Sequence, residues 1–320
     1  MKISVIGCGR WGALITWYLD SLGHTVTLYG RSGSEHMQSF LKNRSNDLLT
    51  LPESVSLTTD LHHALETAET IIISIPSQSL RGLCTELSSL NPEGKTFVLC
   101  MKGLEENTGL RLSQIAGEYL GKDNAIAVWL GPGHVQEFYR GVPNCMVIDS
   151  ENEMIKKCLV DSFSSELIRF YYGQDMIGNE VGAASKNVIG IAAGFLDGMG
   201  LSALKGALMS RGTREIARLI VAMGGSEFSA YGLCHLGDYE ATVFSPFSHN
   251  RQFGEAYIKG EAFHKLAEGY FTVKAMMLLQ QQYRVELPIC TGVYNILYEQ
   301  MDPKAVMNGL FTRSLKTEFQ

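Results

Sequence analysis

The sequence predicts an α/β fold, a doubly wound and mostly parallel sheet, followed by an all-helical half. Three observations lead there. Short apolar runs of strand length alternate with helical patterns as far as residue 172. The first of these runs enters the glycine pattern Gly7-Cys8-Gly9-Arg10-Trp11-Gly12. Beyond residue 172 strand signals stop and long helical patterns take over. Buried parallel strands read as near-continuous apolar runs, which is the form seen here.

Residues 3–6 form the first strand, and the glycine pattern turns the chain into a helix. Gly7 permits the turn, Gly9 lets a pyrophosphate approach the backbone, and Gly12 lets the helix pack closely on the strand. The helix N-terminus then offers unpaired N–H groups and a partial positive charge to phosphates. Residues 25–29 are the second strand and close a βαβ unit. In that context the glycines predict a Rossmann-type dinucleotide site rather than an ordinary glycine-rich turn. A helix is expected over 61–69, before the β-branched run 70–75 that stops at Pro76. Further strands are expected over 96–100, 125–129, 144–148 and 167–171, with a helix over 109–120. Ligands of such sheets bind outside the carboxyl ends of the strands. Pro76-Ser77, Met101-Lys102-Gly103 and Gly131-Pro132-Gly133 each follow a strand, so they belong near the fingerprint turn. Helices then follow over 178–198, 202–223, 254–282 and 288–300. The boundary falls between 172 and 178, giving a dinucleotide-binding domain over 1–175 and an all-helical substrate domain over 176–320.

Bulk properties agree with an enzyme of two domains: 320 residues, 45% hydrophobic and 19% charged. A net charge of −6 gives no basic field for nucleic acid. Seven cysteines are scattered without a C-x-x-C pair, which reads as reduced thiols, and no metal site is predicted. No run reaches the roughly 18–20 apolar residues that a membrane span needs, so a cytoplasmic protein is expected.

The second strand ends in Tyr29-Gly30-Arg31-Ser32, with no acidic residue to hold the ribose hydroxyls of NAD. Arg31 suits a 2′-phosphate, which favours NADP over NAD; the alternative is a solvated loop arginine and an enzyme that accepts either.

Gly182, Lys186, Gly190, Gly194 and Gly198 are spaced by four, so they lie along one face of a helix. Glycine costs about 0.8–1 kcal/mol at each such position. A stripe of them implies close approach of another backbone or a ligand. Lys186 within it is either an acid/base or a side chain that snorkels to water past a packed helix.

Across nearly its full length the chain resembles the bacterial NAD(P)-dependent sn-glycerol-3-phosphate dehydrogenases. The shared motifs are Gly7 to Gly12, Lys102-Gly103-Leu104-Glu105, Gly131-Pro132 with Glu137, and Lys186-Asn187-Val188. Arg211-Gly212 with Glu215, Gly237-Asp238, Asn250-Arg251 with Phe253-Gly254, and Glu268-Gly269-Tyr270 continue them. The resemblance implies a Rossmann domain joined to a helical domain like that of 6-phosphogluconate dehydrogenase. It implies reduction of dihydroxyacetone phosphate to sn-glycerol 3-phosphate for phospholipid synthesis, and a possible homodimer. Matched residue by residue, Lys186 is the general acid/base, Lys102 contacts both substrate and cofactor, and Asp238 is the substrate-side aspartate that orients Lys186. Gly131 and Gly133 fall at substrate positions. Arg10, Trp11, Arg31, Val135, His249 and Glu268 fall at cofactor positions, although Trp11 also suits a hydrophobic wall. The loop of Phe247, Ser248, His249, Asn250 and Arg251 is expected to take the phosphate, with Arg251 as a planar cationic fork. Ser248 equally suits a helix cap.

Four departures from the family cluster at this pocket. His249 stands where the family has Arg, Gly133 where it has Ser or Thr, and His134 where Phe is expected; residues 202–204 lack an expected Asn. They leave room for a related phosphorylated hydroxyketone or hydroxy acid as substrate, or for a non-catalytic NADP-binding regulator.

Overall fold

β1 (Lys2–Ile6) pairs in parallel with β2 (Thr25–Tyr29) on one side and β4 (Thr70–Ile73) on the other. β3 (Ser56–Thr58) extends the β2 edge, and β5 (Thr96–Leu99) and β6 (Ala125–Leu130) extend β4, all in parallel. β7 (Asn144–Ser150) runs antiparallel to β6, and β8 (Ile168–Tyr172) is parallel to β7. The sheet order is therefore β3-β2-β1-β4-β5-β6-β7-β8 in this computed structural model, which describes residues 1–314 and 317–318. Chain order reverses between β1 and β4, and that reversal opens a crevice at the carboxyl ends of the strands.

Adjacent residues of one strand feed opposite faces of the sheet. Val5, Ile72 and Val98 enter one core with Leu14 and Tyr18 of α1 (Arg10–Ser21). Ile6, Ile71, Ile73 and Leu99 enter the other, with Leu83 of α4 (Leu80–Ser88) and Ile115 of α5 (Leu112–Leu120). α2 (Glu35–Asn43), α3 (Leu61–Glu66), α6 (Val135–Tyr139) and α7 (Glu153–Phe163) complete the cover. α3 and α5 are shorter than the expected 61–69 and 109–120, and the strand from Thr70 ends before Pro76, which has no N–H to continue a ladder.

The second half is helical: α8 (Met176–Gly198), α9 (Lys205–Ala222), α10 (His249–Lys259), α11 (Glu268–Tyr283), α12 (Pro288–Leu297) and α13 (Pro303–Phe311). The single helix expected over 254–282 is two helices. Gly260 adopts φ +70° and caps α10, and residues 261–267 lead to α11. The helix expected from 202 starts at Lys205 after a 3-10 turn, Ser202–Leu204. The last residues of the expected second domain, 315–316 and 319–320, lie outside the described residues.

α8 is buried on all sides from Gly178 to Leu196. Its glycine stripe faces His235 at Gly182, Thr242 and Asn250 at Gly190, and α10 alone at Gly194 and Gly198. A Cβ at Gly194 would lie 2.1 Å from the Arg251 carbonyl oxygen, and one at Gly254 would lie 2.2 Å from that of Ile191. A buried ion pair ties the start of α8 to α5: Arg111 Nη1 meets Glu180 Oε2 at 2.5 Å, and Glu180 Oε1 accepts the Ser113 N–H. Among the described residues no helix is long and apolar enough to cross a membrane, and no disulfide is present.

Candidate functional site

The fingerprint turn is built by clashes avoided. Gly7 has φ +115°, and a Cβ there would lie 2.1 Å from the Ser74 carbonyl oxygen. A Cβ at Gly12 would lie 1.9 Å from the Gly7 carbonyl oxygen, so helix and turn touch backbone to backbone. Gly9 differs: a Cβ there would meet nothing within 4 Å. The space in front of α1 is open, and no side chain caps its first N–H groups. An anionic pyrophosphate fits this place. Around it stand Arg10, whose Nε is buried without a partner among the described residues, and Trp11, whose ring packs on Phe138 at 6.0 Å. Arg31 is exposed just past β2. Val135 starts α6 and is buried in the core that holds Cys8 and Ala13.

Three charged side chains meet at the carboxyl end of the sheet. Lys186 comes from the middle of α8, Lys102 from the loop after β5, and Asp238 from a 3-10 turn, Leu236–Asp238. Lys186 Nζ and Lys102 Nζ each lie 2.6 Å from Asp238 Oδ2. Lys102 Nζ also donates to the Gly131 carbonyl at 2.5 Å, and Lys186 Nζ to Thr242 Oγ1 at 2.8 Å. Lys186 and Asp238 are almost wholly buried. Burial lowers the Lys186 pKa from 10.5 to about 8, with Asp238 opposing and Lys102 adding to the fall. Such an ammonium exchanges a proton readily near neutral pH.

The loop before α10 is placed beside this cluster. Ser248 caps α10, accepting the Arg251 N–H. Asn250 donates to Asn187 Oδ1 and accepts the Gly269 N–H, and Asn187 donates to the Lys102 carbonyl. His249 Nδ1 lies 3.3 Å from the Leu266 carbonyl oxygen; burial, then Lys265, pulls its pKa below the usual histidine value. Glu268, at the start of α11, accepts the backbone N–H and the hydroxyl of Ser77 after β4. That contact joins the helical half to the sheet, and burial raises the Glu268 pKa.

Two family models cover nearly the whole chain: NAD-dependent glycerol-3-phosphate dehydrogenase N-terminus over residues 2–156, and the C-terminus of the same family over residues 175–308. The chain belongs to this family. A glycerol-3-phosphate dehydrogenase [NAD(P)+] of Thermoanaerobacter sp. is 35% identical, with 99% of each chain covered. One from Fusobacterium nucleatum is 33% identical over 100% of this chain and 99% of its own. Among solved structures, glycerol-3-phosphate dehydrogenase from Coxiella burnetii superposes with a TM-score of 0.91 at 29% identity, covering 98% of this chain and 99% of its own. The Saccharomyces cerevisiae enzyme shares the fold, with a TM-score of 0.80 at 20% identity, covering 96% and 98%.

Within this glycerol-3-phosphate dehydrogenase framework one expected site residue is engaged elsewhere. The Arg251 fork does not face the lysines: Nη1 lies 2.6 Å from Asp197 Oδ2 and 3.1 Å from Glu255 Oε2, and Nε donates to the Ser245 carbonyl. Asp197 also holds Lys205 at 2.6 Å. Arg251 thus fastens α10 to the far end of α8. Thr242, which sequence reasoning missed, lies in a π-helical turn, Glu240–Phe244, and bonds Lys186 directly. Its signal was its place four residues after Asp238, whose carbonyl it bonds at 2.7 Å.

Proposed function

We propose that this protein interconverts dihydroxyacetone phosphate and sn-glycerol 3-phosphate with NAD(P)H, with Lys186 as the general acid/base. The observation that carries this reading is the buried Lys186 ammonium, held with Lys102 on one carboxylate oxygen at the carboxyl end of the sheet. The nicotinamide cofactor, when bound, supplies or accepts the hydride. In reduction, the carbonyl oxygen takes a proton from Lys186 Nζ and becomes the secondary alcohol. In oxidation, neutral Lys186 takes that proton back. Asp238 and Thr242 hold Nζ in place for both directions. Lys102 adds a second positive charge beside the developing alkoxide.

Gly7, Gly9, Gly12, Arg10 and Trp11 would hold the dinucleotide, with Val135, His249 and Glu268 lining its course. Exposed Arg31, with no acidic residue at the end of β2, supports NADP over NAD. The phosphate of the substrate belongs at the start of α10, near Ser248 and Asn250, and Gly131 and Gly133 border the substrate. The domain division at residue 175 is part of the same reading: β8 ends at Tyr172 and α8 starts at Met176. A product of this kind suits phospholipid synthesis. Seven free cysteines suit a reducing cytoplasm, and Phe228, 76% exposed, gives a homodimer one candidate contact.

The test follows NADPH and NADH absorbance with dihydroxyacetone phosphate, dihydroxyacetone and a panel of keto acids. Turnover of the phosphorylated ketone should dominate. Equal turnover of a keto acid would sink the reading.

A further inference from the structure

The loop after β6, Gly131-Pro132-Gly133-His134, forms a wall of the lysine site, anchored by the bond from Lys102 to the Gly131 carbonyl. Gly133 can carry no side chain there. Its φ is +142°, and a Cβ would lie 2.1 Å from Phe138 Cε2. His134 is therefore the loop's one polar side chain. Its ring meets the Phe247 ring edge-on at 5.7 Å. Its Nε2 is buried and has no hydrogen-bond partner among the described residues. The charged groups that act on the ring are Glu137 on α6, Lys186 on α8, and Asp238 and Glu240 from the turns that follow α9. Asp238 carries a second atom of the same kind: Oδ2 takes both lysines, while Oδ1 is buried and unpartnered among the described residues.

These two atoms ask for one kind of group. Burial, the largest influence on its charge, favours the neutral imidazole, which donates from Nε2 in the Nε2–H tautomer. The carboxylate oxygen accepts. A hydroxyl accepts and donates at one oxygen and satisfies both. A phosphate accepts but does not donate, and Asp238 repels it. A methyl group leaves both atoms unpaired. We propose that His134 Nε2 and Asp238 Oδ1 together receive the free hydroxyl of the substrate, which makes His134 a specificity-determining residue for hydroxymethyl ketone phosphates. The inference rests on the ketone-phosphate reading above.

A site built to hydrogen-bond a substrate hydroxyl rejects the analogue lacking it by up to about 10⁴–10⁵-fold. The experiment compares dihydroxyacetone phosphate with its deoxy analogue, hydroxyacetone phosphate, in the wild type and in His134→Phe, His134→Ala and His134→Gln. In the wild type, kcat/KM should favour the hydroxylated substrate by at least about 100-fold. In the Phe and Ala variants that preference should fall below about tenfold, through a higher KM for dihydroxyacetone phosphate, with the KM for NADPH unchanged. The Gln variant keeps an N–H donor and should recover part of the preference. NADPH binding read by fluorescence identifies folded variants, and Ala stands in for Phe if Phe does not bind. A wild type that takes both substrates equally, or Phe and Ala variants that keep the wild-type preference, overturns the proposal. A wild type that reduces neither ketone phosphate overturns the underlying reading, and the proposal with it.

Discussion

Lys186 and Lys102 share a single oxygen: each Nζ lies 2.6 Å from Asp238 Oδ2. Two positive charges about one negative charge leave the cluster net positive, in a place from which water is largely excluded. The carboxylate keeps both ammoniums at the site but cannot restore Lys186 to the pKa of a solvated lysine. General acid–base catalysis works best when the pKa lies near the working pH, and about 8 is such a value.

The pH dependence has a definite sign. With Lys186 as the proposed acid/base, reduction needs it protonated, so its kcat should fall as pH rises through about 8; oxidation needs it neutral, so its kcat should rise over the same range. Profiles in both directions test this, and a limb near 10.5 in either would show that Lys186 keeps the pKa of a solvated lysine. Lys186→Ala should lower kcat by about 10²–10⁴-fold while NADPH binding, read by fluorescence, survives.

Asp238→Asn separates attraction from placement. The amide can still accept a hydrogen bond, but the charge that raises the Lys186 pKa is gone and the Lys102 repulsion remains. The pH limb should move below about 8. A limb that stays in place, measured in the same buffers, would show that Asp238 does not tune the lysine.

Arg31 is exposed at the end of β2, with no side-chain partner among the described residues. Arg31→Ala should raise the KM for NADPH by about tenfold, the loss of one charge-assisted contact of about 1.5 kcal/mol, and leave that for NADH nearly unchanged. An equal change in both constants would refute a 2′-phosphate role.

Two glycine-to-alanine changes in helices should act with opposite sign. Gly117, exposed in α5, has nothing within 4 Å of an added Cβ, so Gly117→Ala should stabilise by about 0.8–1 kcal/mol through helix propensity. A Cβ at Gly194 would lie 2.1 Å from the Arg251 carbonyl oxygen, and Gly194→Ala should destabilise by about 1–3 kcal/mol or more. Urea unfolding of both variants measures the contrast.

The strands were legible because each is a short apolar run bounded by turn residues, as in 25–29 and 96–100. β3 was not, because Ser56-Leu57-Thr58 carries one apolar residue and gains its place from pairing with β2. Lys186 stood out through the glycines around it. The tie from Arg251 to α8 was not legible, because Arg251 follows Asn250 in sequence. A helix turns successive side chains apart by about 100°, so Asn250 faces Asn187 while Arg251 faces Asp197. The break between α10 and α11 was hidden for a related reason. Residues 261–267 are made largely of helix-tolerant types, and only the left-handed Gly260 stops the helix.

Where α8 meets α10 at Gly194 and Gly254, main chain rests on main chain, while Gly190 receives the side chains of Thr242 and Asn250. At Gly194 and Gly254 no side chain lies in the contact whose rotamer can change to make space. The spacing of α8 and α10 is a fixed gauge there, set by peptide units rather than by adjustable packing. A substrate one carbon longer finds nothing there to yield. Variants selected for such substrates should therefore carry changes in the loops on either side and leave the two helices untouched.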